Sequence, residues 1–339
     1  MSGANGLRSG GQVLVDQLRI HGVDTVFCVP GESYLTVIDA LHDAQNEIKT
    51  VACRQEGGAT NMAEAYGKLT GKPGVAMVTR GPGACNGSIG VHTAMQDSTP
   101  MVIFIGQVAR DQEYREAFQE VDYHKFYGAI CKEVVQIDSA DRVPELVSQA
   151  FHVAASGRPG PVAVSIPEDM QRDMVDVGDA RPFQTVRPEV GPKAMGAFRG
   201  HLASADRPLM ILGGAGWSEQ ACSDIKAFAE ANAIPVAASF RCQDLFDNMH
   251  KNYAGELGTS ASPKLAQRVK DADLLIVVGS RLGEMTSGGY SLVNLPVPQQ
   301  KLVHIYMDSS EMGRIYEPDL AIVGSMESFA AAARDMEPV

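Results

Sequence analysis

The chain has 339 residues, 45% hydrophobic and 21% charged, the make-up of a folded globular protein rather than a disordered one. That length predicts two domains, each large enough for a core of its own. Lys and Arg number 29 against 41 Asp and Glu, a net charge of −12 with no basic run to offset it, which excludes a nucleic-acid backbone as a partner.

In chain order, residues 12–21 carry Val13, Leu14, Val15 and Leu18 at helical spacing, closed by Gly22. A short apolar strand is predicted over 25–29, a helix over 35–41, a strand over 48–52 and a helix over 57–69. Gly71-Lys72-Pro73-Gly74 reads as a turn. A strand over 75–78, a helix over 84–96 and an all-apolar strand over 101–105 follow. Apolar runs without alternation predict strands buried on both faces, hence a parallel sheet covered by helices. Val143, Leu146, Val147, Ala150, Phe151 and Ala154 form a helical stripe, which Gly157-Arg158-Pro159-Gly160-Pro161 breaks before a strand over 162–166.

Over 168–194 Asp, Pro, Arg and Gly accumulate and the periodicity fades, as in an interdomain linker. A second pattern follows, with strands over 209–212, 234–237, 274–278, 302–307 and 321–323 and helices over 219–231, 264–271 and 326–336. The expected fold class is α/β: two doubly wound domains with mainly parallel sheets, divided as 1–175, a linker over 176–194, and 195–339.

Six cysteines (Cys28, Cys53, Cys85, Cys131, Cys222, Cys242) show no Cys-x-x-Cys pair, and eight histidines form no His-Glu-x-x-His cluster, so no metal ligands are predicted in this chain. The first residues lack the basic and apolar blocks of a signal peptide, and no apolar run approaches membrane-spanning length. A cytoplasmic protein with no membrane partner is expected.

Three segments sit where a predicted strand hands over to a helix: Val29-Pro30-Gly31-Glu32, Gln55-Glu56-Gly57-Gly58, and Thr79-Arg80-Gly81-Pro82-Gly83-Ala84-Cys85-Asn86. Alone, Glu56 is a helix-start carboxylate favoured by the macrodipole, Asn86 an N-cap, and Gly31 part of a plain turn. A glycine at 31 also allows the backbone to approach a flat ring, and two glycines around Pro82 make a rigid, open loop. In order and spacing the three segments resemble the pyrimidine-binding domain of thiamine diphosphate enzymes, and most nearly the acetolactate synthase large subunit and its relatives. The resemblance implies that Glu56 hydrogen-bonds the aminopyrimidine of the cofactor and so promotes loss of the C2 proton of the thiazolium. A poorly solvated carboxylate suits that task, because its proton is then shared with the ring and not with water. It implies that Pro30, Gly31, Glu32, Gly81, Pro82, Gly83 and Asn86 line the pyrimidine pocket. Ala117-Phe118-Gln119-Glu120 extends the likeness and implies that Phe118 and Gln119 face the substrate. So does the run from Ser156 to Val162, in which Arg158 would reach a nucleotide phosphate.

In the second half, Leu212-Gly213-Gly214-Ala215-Gly216 follows a predicted strand, and backbone amides in such a turn can cradle phosphate. Gly279-Ser280-Arg281 and Met307-Asp308 follow two more strands. The resemblance implies a central domain that borders FAD, as in acetolactate synthases, or ADP, as in oxalyl-CoA decarboxylase, with Gly213, Gly214 and Arg281 toward phosphate and Asp308 toward ribose or adenine. The other reading is a purely structural spacer. The family's usual Arg-Phe-Asp-Asp-Arg run is here Arg281-Leu282-Gly283-Glu284-Met285, and its Gly-Met-x-Gly-x-His-Gly segment is reduced to Ala254-Gly255-Glu256-Leu257-Gly258. Glu168 stands where these synthases usually have Lys. These departures point towards a catabolic relative, or one of another kind, rather than the biosynthetic enzyme itself.

The resemblance covers residues 8–335 and ends with the central domain. No Gly-Asp-Gly followed by a paired Asn is present, the motif by which the family holds Mg²⁺ and the diphosphate. The missing C-terminal diphosphate-binding domain would need roughly 170–200 further residues. The expected function is that of a thiamine diphosphate-dependent 2-oxo acid decarboxylase or carboligase component, a transferase or lyase acting on a pyruvate-type substrate and inactive as this chain alone. Mg²⁺ would be held by the absent domain. A homodimer, a homotetramer or a partner chain carrying that domain is expected. The alternative is a non-catalytic relative acting as a nucleotide-binding or dimer-forming regulatory protein.

Overall fold

The computed structural model describes residues 6–339, and the chain divides after Val186 into two compact units. In the first unit β1 (Arg8–Ser9) leads into α1 (Gly10–Ile20), which opens on a capping box between Ser9 and Gln12. Then follow β2 (Thr25–Cys28), α2 (Leu35–Asp43), β3 (Lys49–Ala52), α3 (Glu56–Thr70), β4 (Gly74–Val78), α4 (Pro82–Asp97) and β5 (Met101–Gln107). A short α5 (Tyr123–Tyr127), β6 (Glu133–Gln136), α6 (Val143–Ala155), β7 (Pro161–Pro167) and β8 (Met174–Val175) complete it. β8 pairs antiparallel with β1.

The main sheet is six-stranded, in the order β3-β2-β4-β5-β7-β6, with every pairing parallel. Its central strands are buried on both faces, as their unbroken apolar runs predict. Along β5, Val102 and Phe104 face the core built with α1, α2 and α6, while Met101, Ile103 and Ile105 face the core under α3, α4 and α5. α3 and α4 pack closely because small residues face each other. A Cβ at Gly90 would lie 2.4 Å from the Thr60 hydroxyl oxygen and 2.5 Å from the Thr60 carbonyl carbon.

The second unit holds α7 (Pro192–Ala203), β9 (Pro208–Leu212), α8 (Glu219–Ala231), β10 (Val236–Ser239), β11 (Tyr253–Leu257), α9 (Pro263–Asp271), β12 (Leu274–Val278), β13 (Lys301–Tyr306), β14 (Leu320–Val323) and α10 (Met326–Arg334). Its sheet is also six-stranded and parallel, in the order β11-β10-β9-β12-β13-β14. α7, α8 and α10 supply the core on one face, with Phe198, Phe228 and Phe329 packed together. On the other face α9 shares the cover with loop residues Leu282, Val293 and Tyr316.

The division between the two units falls inside the predicted linker. Much of 168–194 is held against one unit or the other by hydrogen bonds, which replace the apolar periodicity the sequence lacks. Gln171 is buried and donates to the carbonyls of Ser33, Ile166 and Pro167. Ala180 N donates to Gln17, and Phe183 N to Nδ1 of His21. On the far side of the division, Val190 N donates to Ser328, and α7 begins at Pro192.

Candidate active site

The connections that carry the three strand-to-helix motifs leave the carboxyl ends of the first unit's strands. From β2 the chain turns to β3 on one side, then returns to β4 on the other. That reversal makes the edge between β2 and β4 a topological switch point, where open α/β sheets place ligands. Pro30-Gly31-Glu32 follows β2, Glu56 follows β3, and Gly81-Pro82-Gly83 follows β4.

Glu56 is the first residue of α3, whose N-cap Gln55 accepts a hydrogen bond from Gly58 N. The residue is half-buried, and Oε2, on its exposed side, accepts a 3.0 Å hydrogen bond from Nδ2 of Asn86 on α4. Oε1 faces Gly83, where a Cβ would sit 3.4 Å away. The close packing of α3 on α4 therefore brings Glu56, Gly83 and Asn86 together. Pro82 takes the first position of α4, which needs no backbone donor.

Gly31 is tight for a reason within the protein: a Cβ there would lie 2.5 Å from the Thr79 Cβ. Gly81 has φ +46°, and a Cβ would meet the Gln119 carbonyl oxygen at 2.7 Å. Gly81 N donates to the hydroxyl of Tyr123, which donates in turn to the Gly106 carbonyl. Burial pushes the Tyr123 phenol up to about 12, so it stays protonated as that donor. Phe118 is 72% exposed beside this loop, and Gln119 adopts φ +65°.

Arg80, within the third motif but not singled out by its sequence, organises the edge. Nε donates to the Phe118 carbonyl at 3.0 Å, Nη1 to Glu168 at 3.3 Å and Nη2 to Glu32 at 2.9 Å. An arginine inside an otherwise apolar and glycine-rich run, with an acidic residue at 168 where the resemblance expects a basic one, was the signal available.

Arg158 lies at the C-terminal end of α4. Its Nε donates to the Ser98 hydroxyl at 2.9 Å and Nη2 to the Met95 carbonyl at 2.6 Å. It thereby satisfies the C-terminal end of α4, where carbonyls lack helical partners and a cation is favourable.

In the second unit, Gly213, Gly214, Arg281 and Asp308 follow β9, β12 and β13 at that sheet's own switch point, between β9 and β12. The Gly213 amide is not available as a phosphate cradle, because it donates to the Val278 carbonyl at 3.0 Å. Gly214 has φ +71°, and a Cβ there would come within 2.0 Å of the Gly279 carbonyl oxygen. Asp308 accepts from Ser310 N through Oδ1, and Arg281 is half-buried. Among the described residues no group of three or more His, Cys, Asp or Glu side chains is placed to hold a metal ion. Nor is any helix among them long and apolar enough to cross a membrane.

Two doubly wound units with these switch-point loops define a class that sequence comparison makes specific. Residues 8–126 match the thiamine pyrophosphate enzyme N-terminal TPP binding domain, and residues 197–333 match the thiamine pyrophosphate enzyme central domain. The chain belongs to the thiamine pyrophosphate enzymes. It is 36% identical over 326 residues to an acetolactate synthase large subunit of Parasynechococcus marenigrum (strain WH8102), covering 94% of this chain and 52% of that protein. The acetolactate synthase isozyme 2 large subunit of Escherichia coli (strain K12) is 35% identical over 327 residues, covering 96% of this chain and 58% of that protein. A probable acetolactate synthase large subunit of Methanocaldococcus jannaschii is 29% identical over 326 residues, with 94% and 54% covered. The chain spans about half the length of the curated relatives it matches.

Proposed function

We propose that this chain supplies the pyrimidine-binding and central domains of a thiamine diphosphate-dependent carboligase or decarboxylase acting on a 2-oxo acid. The observation that carries the reading is Glu56, half-buried at the switch-point edge with one oxygen held by Asn86 and the other facing the small residue Gly83. A carboxylate oriented in that way fits the aminopyrimidine end of the cofactor. When bound, thiamine diphosphate would supply a nucleophilic carbon for 2-oxo acid chemistry. Glu56 would share a proton with the pyrimidine ring nitrogen, and Asn86 would keep the carboxylate in place. Pro30, Gly31, Glu32, Gly81, Pro82 and Gly83 shape the walls around the ring, while Phe118 and Gln119 meet the substrate.

Mg²⁺ and the diphosphate fall to a further domain, in the same polypeptide or a partner chain, and the working protein is a cytoplasmic dimer or tetramer. Gly214, Arg281 and Asp308 are the residues of the second unit that would border an FAD or ADP. The test is calorimetric titration with thiamine diphosphate and Mg²⁺, for the chain alone and after mixing with a protein carrying the diphosphate motif. Binding that strengthens in the mixture, with acetolactate or CO₂ formed from pyruvate there and not by the chain alone, is the expected result. A monomer that binds ADP and never thiamine diphosphate would replace this reading with a regulatory one.

A further inference from the structure

Arg80 is 8% exposed at the carboxyl end of β4, and its three donors go to three different connections. Glu32 follows β2, Phe118 lies in the connection after β5, and Glu168 follows β7. We propose that Arg80 is the positioning residue that fixes the Phe118–Gln119 segment at this edge, with Glu168 and Glu32 as its counter-ions. The proposal rests on the reading above only for what Phe118 and Gln119 then do.

The loop needs such a hold. Tyr114, Glu116 and Gln119 all lie at positive φ, an unfavourable backbone for residues with a Cβ. Conformations of that kind persist only where surrounding bonds over-determine them. From inside the loop, the Glu120 carboxylate accepts from Tyr114 N at 2.6 Å and from Ala117 N at 3.0 Å. From outside, Gln136 holds Glu113 at 2.6 Å and Gln107 holds the Val121 carbonyl at 2.9 Å, one near each end of the segment. Arg80 grips the middle, at the Phe118 carbonyl, and its guanidinium carbon lies 6.0 Å from the Phe118 ring centroid.

An anion-binding role fits less well. Nε, Nη1 and Nη2 each have a protein acceptor, and two carboxylates outweigh the one guanidinium. Burying the guanidinium is tolerable because those partners neutralise it. Lysine could keep an ion pair with Glu168 but could not reproduce the fork that reaches three acceptors at once.

Hydrogen exchange followed by mass spectrometry tests this on the chain itself. The amides of Tyr114, Ala117 and Glu120 are each hydrogen-bonded in the folded loop, so they report its opening. Arg80→Gln and Arg80→Lys are both expected to speed exchange in the 113–121 segment about tenfold, the scale of one hydrogen bond to a charged donor. Exchange across α3 should stay as in the parent. Glu168→Gln retains the Nε bond and should leave the segment within about twofold of the parent. Full protection in Arg80→Lys would overturn the proposal, because charge alone would then suffice. An even rise across β4, β5 and the segment would overturn it too, by making Arg80 a general stability residue. If Arg80→Gln fails to fold, the contrast between Arg80→Lys and Glu168→Gln still decides. No cofactor is needed, so failure of the thiamine diphosphate reading would show separately, as absent binding by the parent chain.

Discussion

The two sheets share a plan and differ at their carboxyl edges. In the first unit the edge gathers polar and charged side chains that hold one another: Glu56 with the Asn86 amide, and Arg80 with Glu32 and Glu168. In the second, close backbone contacts accompany the side-chain bonds of Trp217 and Asp308. Gly213 N reaches the Val278 carbonyl, and Gly214 and Gly279 leave no room for a Cβ between them. Strand order differs as well, so each switch point falls between different neighbours. One parallel scaffold can thus carry quite different side chains at its strand ends, and its fold alone does not set what they do.

The largest expected effect separates the two edges directly. In an enzyme containing this domain, Glu56→Gln should preserve the fold and slow exchange of the C2 proton of bound thiamine diphosphate by about 10²–10⁴. Gln can still hydrogen-bond the ring nitrogen but cannot deliver and retrieve a proton. Asp308→Asn in the second unit should leave that exchange unchanged. Equal losses in both variants would erase the distinction between the edges, and unchanged exchange in a well-folded Glu56→Gln would reduce Glu56 to a helix-start residue.

Next come the glycines. Gly90→Ala and Gly214→Ala should each lower stability by about 1–3 kcal/mol, the first by overpacking α3 against α4, the second by the added cost of positive φ. Denaturant midpoints measure both. Only Gly90→Ala should also weaken binding of the pyrimidine end, since it disturbs the two helices that bring Glu56 to Asn86. If Gly214→Ala weakens it as much, the two edges are energetically coupled.

A pH titration compares the units through one buried histidine in each. Burial lowers His21 to about 4 and lowers His304 as well, from the ordinary value of 6.5. For such groups the unfolded chain binds the proton more readily. Their contribution is therefore complete above about pH 6.5 and is lost as pH falls through the folded value. His21 accepts from Phe183 N through Nδ1, and His304 lies with Nε2 2.8 Å from the Ser280 carbonyl oxygen. His21→Leu should flatten the stability loss of the first unit between pH 6.5 and 4 and leave the second unit's slope alone, as read by hydrogen exchange in each.

The sequence reading went furthest where chemistry and periodicity coincide. Unbroken apolar runs marked β4, β5, β7 and β12, which are buried on both faces. Motif spacing pointed to Glu56, Gly83 and Asn86, which the close packing of α3 and α4 brings together. What stayed hidden is held by single hydrogen bonds between residues far apart in sequence. Arg80 and Glu168 are 88 positions apart. Edge strands β6 and β11 are only half-buried along most of their length, which gives no apolar run to find. α7 begins inside a stretch that reads as linker, and only Phe198 and Leu202 of it are buried. Arg158 could be located only by its acceptors, since its sequence neighbourhood fits a helix end and a phosphate contact equally.

The smallest effects concern one aromatic at each edge. Phe118 is 72% exposed, and a large side chain so placed contributes little to folding. Phe118→Ala should change stability by no more than about 0.5 kcal/mol. Trp217, the only tryptophan in the chain, is half-buried and donates from Nε1 to the Gly213 carbonyl at 2.9 Å. Trp217→Phe keeps most of the apolar contact and loses that bond, a cost of about 0.5–1.5 kcal/mol. Thermal melts followed by circular dichroism would rank the two without relying on the tryptophan signal that the second variant removes. The expected order, Trp217→Phe below Phe118→Ala below parent, follows from one aromatic fastening its own loop while the other is left exposed. The reverse order would mean that Phe118 is held by packing at the Arg80 edge, and that the first edge is as structural as the second.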